Sequence, residues 1–318
     1  EQALPVLEPA QFLDRRYRHM RVRADAPTAA RLQEVAQGEQ AVAQVGLGAG
    51  ADDDAGAAAS HGLDLLRLGT EADADAIRPT QVTQPLVVVT GLLSARAAEL
   101  LSDEGSDRPS GTDSPDVVVA GHSLGSLTAL ALAGALTPVE AVRLAATRGR
   151  AMARCAAETS GGMVALVGGD RDAVLDAVRA AGLTAANVNG STQVVAAGST
   201  PALEALVAPA GVRHLPLAVA GAFHSPLMAG AAPEIADAVA ALPVRALSRP
   251  FIDDADGVLH PAGEDSDGLL EGLADKVTRP VRWDLVQARL LETGTEAGVE
   301  LAPAGALAGM ARRDLPGI

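Results

Sequence analysis

The sequence predicts an α/β protein, one main domain interrupted by a smaller inserted unit, on the strength of three observations. The stretch "VVVAGHSLGSLTAL" (Val117 to Leu130) runs apolar residues into a Gly-His-Ser turn and then a breaker-free Ala/Leu/Thr run. That is the pattern of a buried strand, a tight turn and a helix. From Gly161 to Ala220, strand-like and helix-like segments alternate over a length that suits one compact α+β unit. The 318 residues, 48% of them hydrophobic, suffice for one large core or two unequal ones.

Taken in order, "ALPVLEP" (Ala3 to Pro9) reads as a short first strand. The arginine-rich "FLDRRYRHMRVR" after it is either a solvated helix face or a docking patch for an anion. Gly46 to Ser60 and Ser102 to Asp116, rich in small and acidic residues, read as loose segments. Between them, His61 to Leu101 is helical in pattern except around Pro79 and Pro85, where proline is expected to interrupt. Thr137 to Thr159 opens with Thr-Pro, a helix start, and keeps apolar residues at helical spacing. Within the insert, "GGMVALVGG" is strand-like, "DRDAVLDAVRAAG" helical, "LTAANVNGSTQVVAAGS" strand and turn, "TPALEALVAPAG" helical and "VRHLPLAVAGAFH" strand again. From Phe223 the chain returns to helix and strand. The predicted division is 1–160 with 221–318 as the main domain and 161–220 as the insert.

Composition narrows the function. A net charge of −15 argues against general nucleic-acid binding, because phosphate contacts need a concentrated basic surface. Cys155 is the single cysteine, so no internal disulfide is expected, and no spaced Cys/His set suggests a metal. Cys155 itself reads as a small buried apolar residue. No apolar run approaches the roughly 18 residues of a membrane span, and no basic-then-apolar leader opens the sequence; a soluble, cytoplasmic protein is expected.

The chemistry centres on Ser123. In a GxSxG turn the serine projects from a sharp corner, and flanking glycines avoid Cβ clashes there. The helix that follows aims its free N–H groups and positive dipole end at the serine, which suits an oxyanion formed when Oγ attacks a carbonyl. The backbone N–H of Leu124 is the predicted donor. A serine hydroxyl also needs a base. The histidines stand at 19, 61, 122, 214, 224 and 260; His122 adjoins the serine and should point away. His224, in "VAGAFHSPLM" at the return from the insert, is the candidate base, with an ordinary structural histidine as the alternative.

Five ordered stretches carry a resemblance: "GHSLG" (Gly121 to Gly125), "TRGRAM" (Thr147 to Met152), "ANVNGSTQVVAAG" (Ala186 to Gly198), "GAFHSPLM" (Gly221 to Met228) and "TRPVRW" (Thr278 to Trp283). They resemble the landmarks of the malonyl-CoA:acyl carrier protein transacylases, to which the acyltransferase domains of polyketide and fatty acid synthases are related. The resemblance runs from about His61 to Arg313. It implies an α/β-hydrolase-like main domain with a parallel sheet and a ferredoxin-like insert, the site lying between them. It implies Ser123 as nucleophile, His224 as base and acid, and the backbone carbonyl of Lys276 as the group that orients the histidine. Arg148 would bind the free malonyl carboxylate, and Phe223 would fill the volume that an α-methyl needs. A planar guanidinium grips a carboxylate in two parallel bonds, and a charged hydrogen bond in a dry cleft contributes about 1.5–3 kcal/mol. The implied partners are malonyl-CoA and acyl carrier protein, without nucleic acid or membrane, and the implied cofactor is none beyond the CoA thioester substrate. Arg279, Arg282, Arg312 and Arg313 are candidates for docking an acidic carrier.

The family's Gly-Gln-Gly segment stands here as Ala10-Gln11-Phe12, with Gln11 in register for the oxyanion hole. Ser126 occupies the usual glutamate position and Lys276 the usual glutamine position. Two other readings stay open. A serine esterase would take its acid from Asp170, Asp172 or Asp176 and its base from His224 or His260. A non-catalytic homologue would only bind carrier protein or coenzyme A.

Overall fold

The computed structural model describes residues 62–98, 100–101 and 117–318. The expected first strand at Ala3 to Pro9, the arginine-rich stretch, Gln11 and the two loose segments lie outside those residues. The described chain opens with helices α1 (Leu65–Thr70), α2 (Ala74–Ile77) and α3 (Thr80–Ala97). Asp64 and Asp73 start the first two by accepting the N–H groups of Arg67 at 3.0 Å and Ala76 at 2.9 Å.

Helix α3 continues straight through Pro85, where the sequence predicts a break. An interior proline costs about 3 kcal/mol. The same helix buries Val88, Val89 and Leu92, each contributing about 1.5–3 kcal/mol. Burial therefore outweighs the missing backbone bond.

Strand β1 (Val119–Ala120) leads through the serine turn into α4 (Gly125–Leu132), followed by α5 (Pro138–Glu158). A capping box starts α5: Thr137 Oγ1 accepts the Glu140 N–H at 3.2 Å, and Glu140 returns a carboxylate to the Thr137 N–H at 2.8 Å. The buried stripe of α5, including Ala141, Leu144, Ala145 and Met152, packs on α3 and α4 in the largest core cluster.

The alternating region forms β2 (Gly161–Val167), α6 (Arg171–Ala180), β3 (Thr184–Val188), β4 (Gln193–Ser199), α7 (Thr200–Glu204) and β5 (Arg213–Pro216). Its sheet has the order β3-β4-β2-β5 with every pair antiparallel. A β-α-β-β-α-β chain order in that arrangement is ferredoxin-like. Helix α7 is shorter than the pattern suggests; Val207 beyond it is 82% exposed, so no buried face extends the helix. Strand β2 is covered on both sides, which explains its unbroken apolar run. Val164 and Leu166 face Val174 and Val178 of α6. Met163 and Ala165 face Ala222 and Phe223, beside His224.

A 3-10 turn (Pro226–Ala231), α8 (Ala232–Ala240), β6 (Phe251–Ile252), β7 (Leu259–His260), α9 (Asp267–Asp275), α10 (Trp283–Glu292) and α11 (Ala306–Asp314) complete the chain. The expected parallel sheet of the main domain is narrow among the described residues. β1 pairs in parallel with β6, and β7 closes the other side of β6 antiparallel. Two backbone bonds join the two sheets' surroundings: Val188 N–H to the Val281 carbonyl and Val281 N–H to the Ala186 carbonyl, each 2.9 Å. Ala186 is free to accept because β3 is an edge strand and Ala186, like Val188, turns its backbone polar groups away from β4.

Replacing Thr137 by Ala removes the α5 cap without emptying the core. It should lower the unfolding free energy by about 1 kcal/mol in a urea titration, with an unchanged slope.

Candidate active site

Strand β1 gives way at Gly121, just past its end, where a side chain has no room: a Cβ there would lie 2.1 Å from the backbone carbon of Gly125. This approach folds the chain back within four residues and forces Ser123 into φ +53°. Ser126 ties the corner, its Oγ donating to the Gly121 carbonyl at 2.8 Å. Among the described residues, the non-glycine residues at positive φ are Ser123 and His224, the latter at +57°. Such backbone costs about 1–3 kcal/mol per residue and persists only where neighbours over-determine it.

The two strained residues touch. Ser123 Oγ lies 2.6 Å from His224 Nε2. On the far side of the ring, Nδ1 lies 2.9 Å from the Lys276 carbonyl and 3.1 Å from the Arg279 carbonyl. Carbonyl oxygens only accept, so Nδ1 carries the proton and Nε2 presents its lone pair to the serine hydroxyl. Arg148, only 7% exposed, reaches Ser123 Oγ from another side at 3.2 Å and is steadied by a 2.7 Å bond to Gln84 Oε1.

Beneath the serine lies a buried charge cluster. The Ser123 N–H donates to Asp254 Oδ2 at 2.6 Å. Lys276 Nζ binds Asp254 Oδ1 at 2.9 Å and Asp253 Oδ1 at 2.7 Å, and stands 5.9 Å from the centre of the Phe251 ring. Burial pushes the Asp254 carboxyl up, but Lys276 and the Ser123 N–H outweigh it and hold the group below the usual carboxylate range. Burial likewise works against the Lys276 ammonium, and the two aspartates more than compensate.

Burial, reinforced by the Arg148 charge, lowers the His224 pKa to about 4, so the ring is neutral at pH 7. Burial lowers Arg148 to about 10, which leaves it charged. The whole set faces a small cleft whose remaining wall is largely apolar, with Leu127, Leu144, Ile235 and Leu273. A neutral imidazole on a hydroxyl, beside a cation in an apolar cleft, can drive acyl transfer to and from an anionic acyl group.

The structure thus brings together Ser123, His224, Arg148 and the Lys276 carbonyl. Leu124 directly precedes α4, and its N–H meets no acceptor among the described residues. Phe223 is half-buried against the core clusters and does not line the cleft. Gln11 lies outside the described residues. Arg148 is buried, not a surface arginine. His122 turns away from the serine, as the sequence predicts, and meets Asn189 Oδ1 at 2.9 Å.

The aspartates of the esterase reading do not reach His224. Asp170 caps α6 through the Ala173 N–H, while Asp172 and Asp176 are exposed. His260 pairs instead with Glu264 at 2.7 Å. Sequence reasoning missed Asp254, Gln84 and the Arg279 carbonyl. Gln84 left a signal, a lone amide inside the apolar run "VTQPLVVV"; Asp254 left only the doubled aspartate of "IDDADG".

Comparison with known proteins bears on this arrangement. Residues 49–315 match the acyl transferase domain family. A malonyl CoA-acyl carrier protein transacylase of Mycolicibacterium smegmatis is 41% identical over 262 residues, 80% of this chain and 86% of that protein.

The chain belongs to the malonyl-CoA:acyl carrier protein transacylase family.

The crystal structure of a family member from Mycobacterium tuberculosis superposes with a TM-score of 0.74 at 39% identity, covering 87% of this chain and 89% of that one. A type II PKS acyl-carrier protein solved in complex with its malonyl-transacylase contains a chain 26% identical to this one, with TM-score 0.74 and coverage of 90% and 88%. These matches give this member the α/β fold with the ferredoxin-like unit expected from its motifs.

Two glycines of the serine turn should behave oppositely. Gly121→Ala should fail to give folded protein or melt far below wild type, since backbone blocks the added methyl. Gly125→Ala meets open space at the first residue of α4 and should hold or raise the melting temperature.

Proposed function

We propose that the chain moves a malonyl group from malonyl-CoA to the phosphopantetheine thiol of an acyl carrier protein, through an ester on Ser123. One observation carries this reading: Ser123 Oγ is within hydrogen-bond distance of both the His224 imidazole and the Arg148 guanidinium. A nucleophile that close to a buried cation suits an acyl group whose own carboxylate lies only two bonds beyond the reacting carbonyl. Malonyl has that shape.

In the first half-reaction, Ser123 Oγ attacks the thioester carbonyl while its proton passes to His224 Nε2. The resulting oxyanion takes the Leu124 N–H, with Gln11 as the second donor that the family resemblance suggests. Collapse breaks the C–S bond, and His224 returns the proton to the departing coenzyme A sulfur. In the second half, the carrier thiol gives its proton to His224, attacks the ester, and Ser123 leaves with that proton. The reaction balances as thioester plus thiol and calls for no redox group or metal. Water is the competing nucleophile, and the apolar wall of the cleft disfavours it.

The same reading assigns Phe223 to malonyl over methylmalonyl selection on the resemblance alone. Carrier docking would draw on local arginines of the acidic molecule. Arg282 is already held by Asp284 at 2.9 Å, whereas Arg312 and Arg313 are exposed at the end of α11. In the proposed division into 1–160 with 221–318 and an insert at 161–220, the lining residues of the cleft all belong to the first part. The setting we propose is the cytoplasm, with the malonyl-loaded carrier feeding fatty acid or polyketide synthesis; among the described residues no helix is long and apolar enough to cross a membrane.

Incubation with malonyl-CoA in the absence of carrier should add a single malonyl group, detected by intact mass and lost in Ser123→Ala. An unmodified wild-type chain would defeat the proposal. Arg148→Ala should abolish the preference for malonyl-CoA over acetyl-CoA.

The pH profile follows from His224. Its neutral form is the active base, so the acid limb of kcat/KM should fall near pH 4 and not near 6.5. In Arg148→Ala that limb should move upward, because the arginine charge helps lower the histidine. Stability carries the matching sign: between pH 6.5 and about 4 the unfolded chain binds a proton that the buried ring refuses, so His224 makes folding less favourable as pH falls through that window.

A further inference from the structure

We propose that Asp254 and the Lys276 side chain form a positioning pair that sets the separation of Ser123 and His224. The inference rests on the acyl-transfer reading of that serine and histidine. Its basis is a closed ring of four hydrogen bonds. Asp254 Oδ2 accepts the Ser123 N–H at 2.6 Å, and Asp254 Oδ1 accepts Lys276 Nζ at 2.9 Å. The carbonyl of the same Lys276 accepts His224 Nδ1 at 2.9 Å, and His224 Nε2 returns to Ser123 Oγ at 2.6 Å.

Each link comes from a different segment: the serine turn, the loop after β6, the end of α9 and the turn after the insert. Nothing local in the chain fixes their relation. The Asp254 backbone is itself anchored, its carbonyl accepting the Arg282 N–H at 2.7 Å. Lys276 therefore acts at both ends. Its side chain holds the carboxylate under the nucleophile, and its main chain holds the base. Displacing the ammonium shifts the carbonyl that fixes the imidazole, and moving the carboxylate releases a serine backbone at positive φ.

The carboxylate has a second consequence. It occupies the N–H of Ser123, so that group cannot serve the oxyanion, and the donor left at the helix start is Leu124. Asp254 also sits near enough to favour positive charge on His224. It stabilises the imidazolium that forms as the proton leaves the serine, without touching the acyl group.

Charge matching makes the pair testable. In Asp254→Asn, an amide that accepts the Ser123 N–H turns its NH2 toward the Lys276 ammonium, donor against donor. In Lys276→Gln, the carboxylates of Asp254 and Asp253 lose their shared counter-ion. In the double variant Asp254→Asn/Lys276→Gln, the two amides can pair and the ring closes without charge. The experiment measures malonyl transfer to carrier protein for wild type, both single variants and the double, with melting temperatures alongside. Each single should lower kcat by up to about a hundredfold, the scale of a small misplacement at a reacting pair. KM for malonyl-CoA should change far less. The double should recover kcat to within about tenfold of wild type, a non-additivity that independent sites do not show.

The acid limb of kcat/KM should move to lower pH in Asp254→Asn, since a negative charge that raises the histidine is gone. Folded single variants with wild-type kcat would overturn the proposal, as would a double variant no faster than the slower single. If the singles fail to fold, the double alone decides: kcat near wild type supports the ring, and kcat a hundredfold down opposes it. The malonyl adduct on wild-type protein separates the two levels of inference. Without it the acyl-transfer reading fails; with it, unaffected variants remove only the role of Asp254 and Lys276.

Discussion

A single hydrogen bond, Ser123 Oγ to His224 Nε2, joins residues 101 positions apart and sets the terms for the rest of the molecule. Both partners hold positive φ, a conformation that costs each of them about 1–3 kcal/mol. Each corner is therefore clamped. At the serine, the Gly121–Gly125 approach, the Ser126 hydroxyl and the Asp254 carboxylate fix the backbone. At the histidine, Ser225 Oγ donates to the Ala222 carbonyl at 2.6 Å, and Gly221 lies so close to α5 that a Cβ there would meet Ala156 at 2.6 Å. Neither corner survives in isolation. Both depend on the core beneath them, where Met228, Ile235 and Leu130 are fully enclosed.

The electrostatics of the cleft set two needs against each other. Arg148 must stay charged to hold a carboxylate, yet its charge and the burial of the ring together make His224 a weak base. In the proposed reaction the substrate resolves this conflict. A malonyl carboxylate on the guanidinium cancels the positive charge facing the imidazole, and the base strengthens as the acyl group arrives. A neutral acyl-CoA leaves the arginine uncompensated, so it meets both a weaker grip and a weaker base. Discrimination then extends beyond binding into the chemical step, the economical place to spend interaction energy.

The legible parts of the chain were those whose physics is local. The Ser123 corner could be read because glycine spacing, an apolar strand and a helix lie within fourteen residues of one another. The alternation from Gly161 to Ala220 could be read for the same reason, and β2 and β4 fall on its apolar runs, but the last predicted strand shrinks to the exposed Arg213–Pro216, and the apolar stretch after it is not strand. Arg148 and Lys276 were found through family motifs, since no pattern in one segment encodes a partner in another, whereas His224 was already the candidate base from its place at the return from the insert. Asp254 was missed on that ground: its partner Ser123 is 131 positions away, and a doubled aspartate in a turn looks like solvent-facing polarity. Pro85 misled for the opposite reason. The local rule is sound, but the burial of α3 overrides it.

The inserted unit supplies no lining residue to the cleft, yet it bears on the site through the backbone. Its edge strand β3 is bonded through Ala186 and Val188 to Val281, two residues beyond the Arg279 carbonyl and five beyond that of Lys276. Those two carbonyls hold the imidazole in the tautomer that accepts the serine proton. The open edge of β3 is thus connected, through one short segment, to the base itself. A rigid antiparallel sheet is a better anchor for such a segment than a surface loop, because its register is fixed by residues buried on both faces. The orientation of His224 therefore draws on a segment that the edge strand of the inserted unit anchors, although Ser123, His224, Arg148 and Lys276 all lie outside that unit.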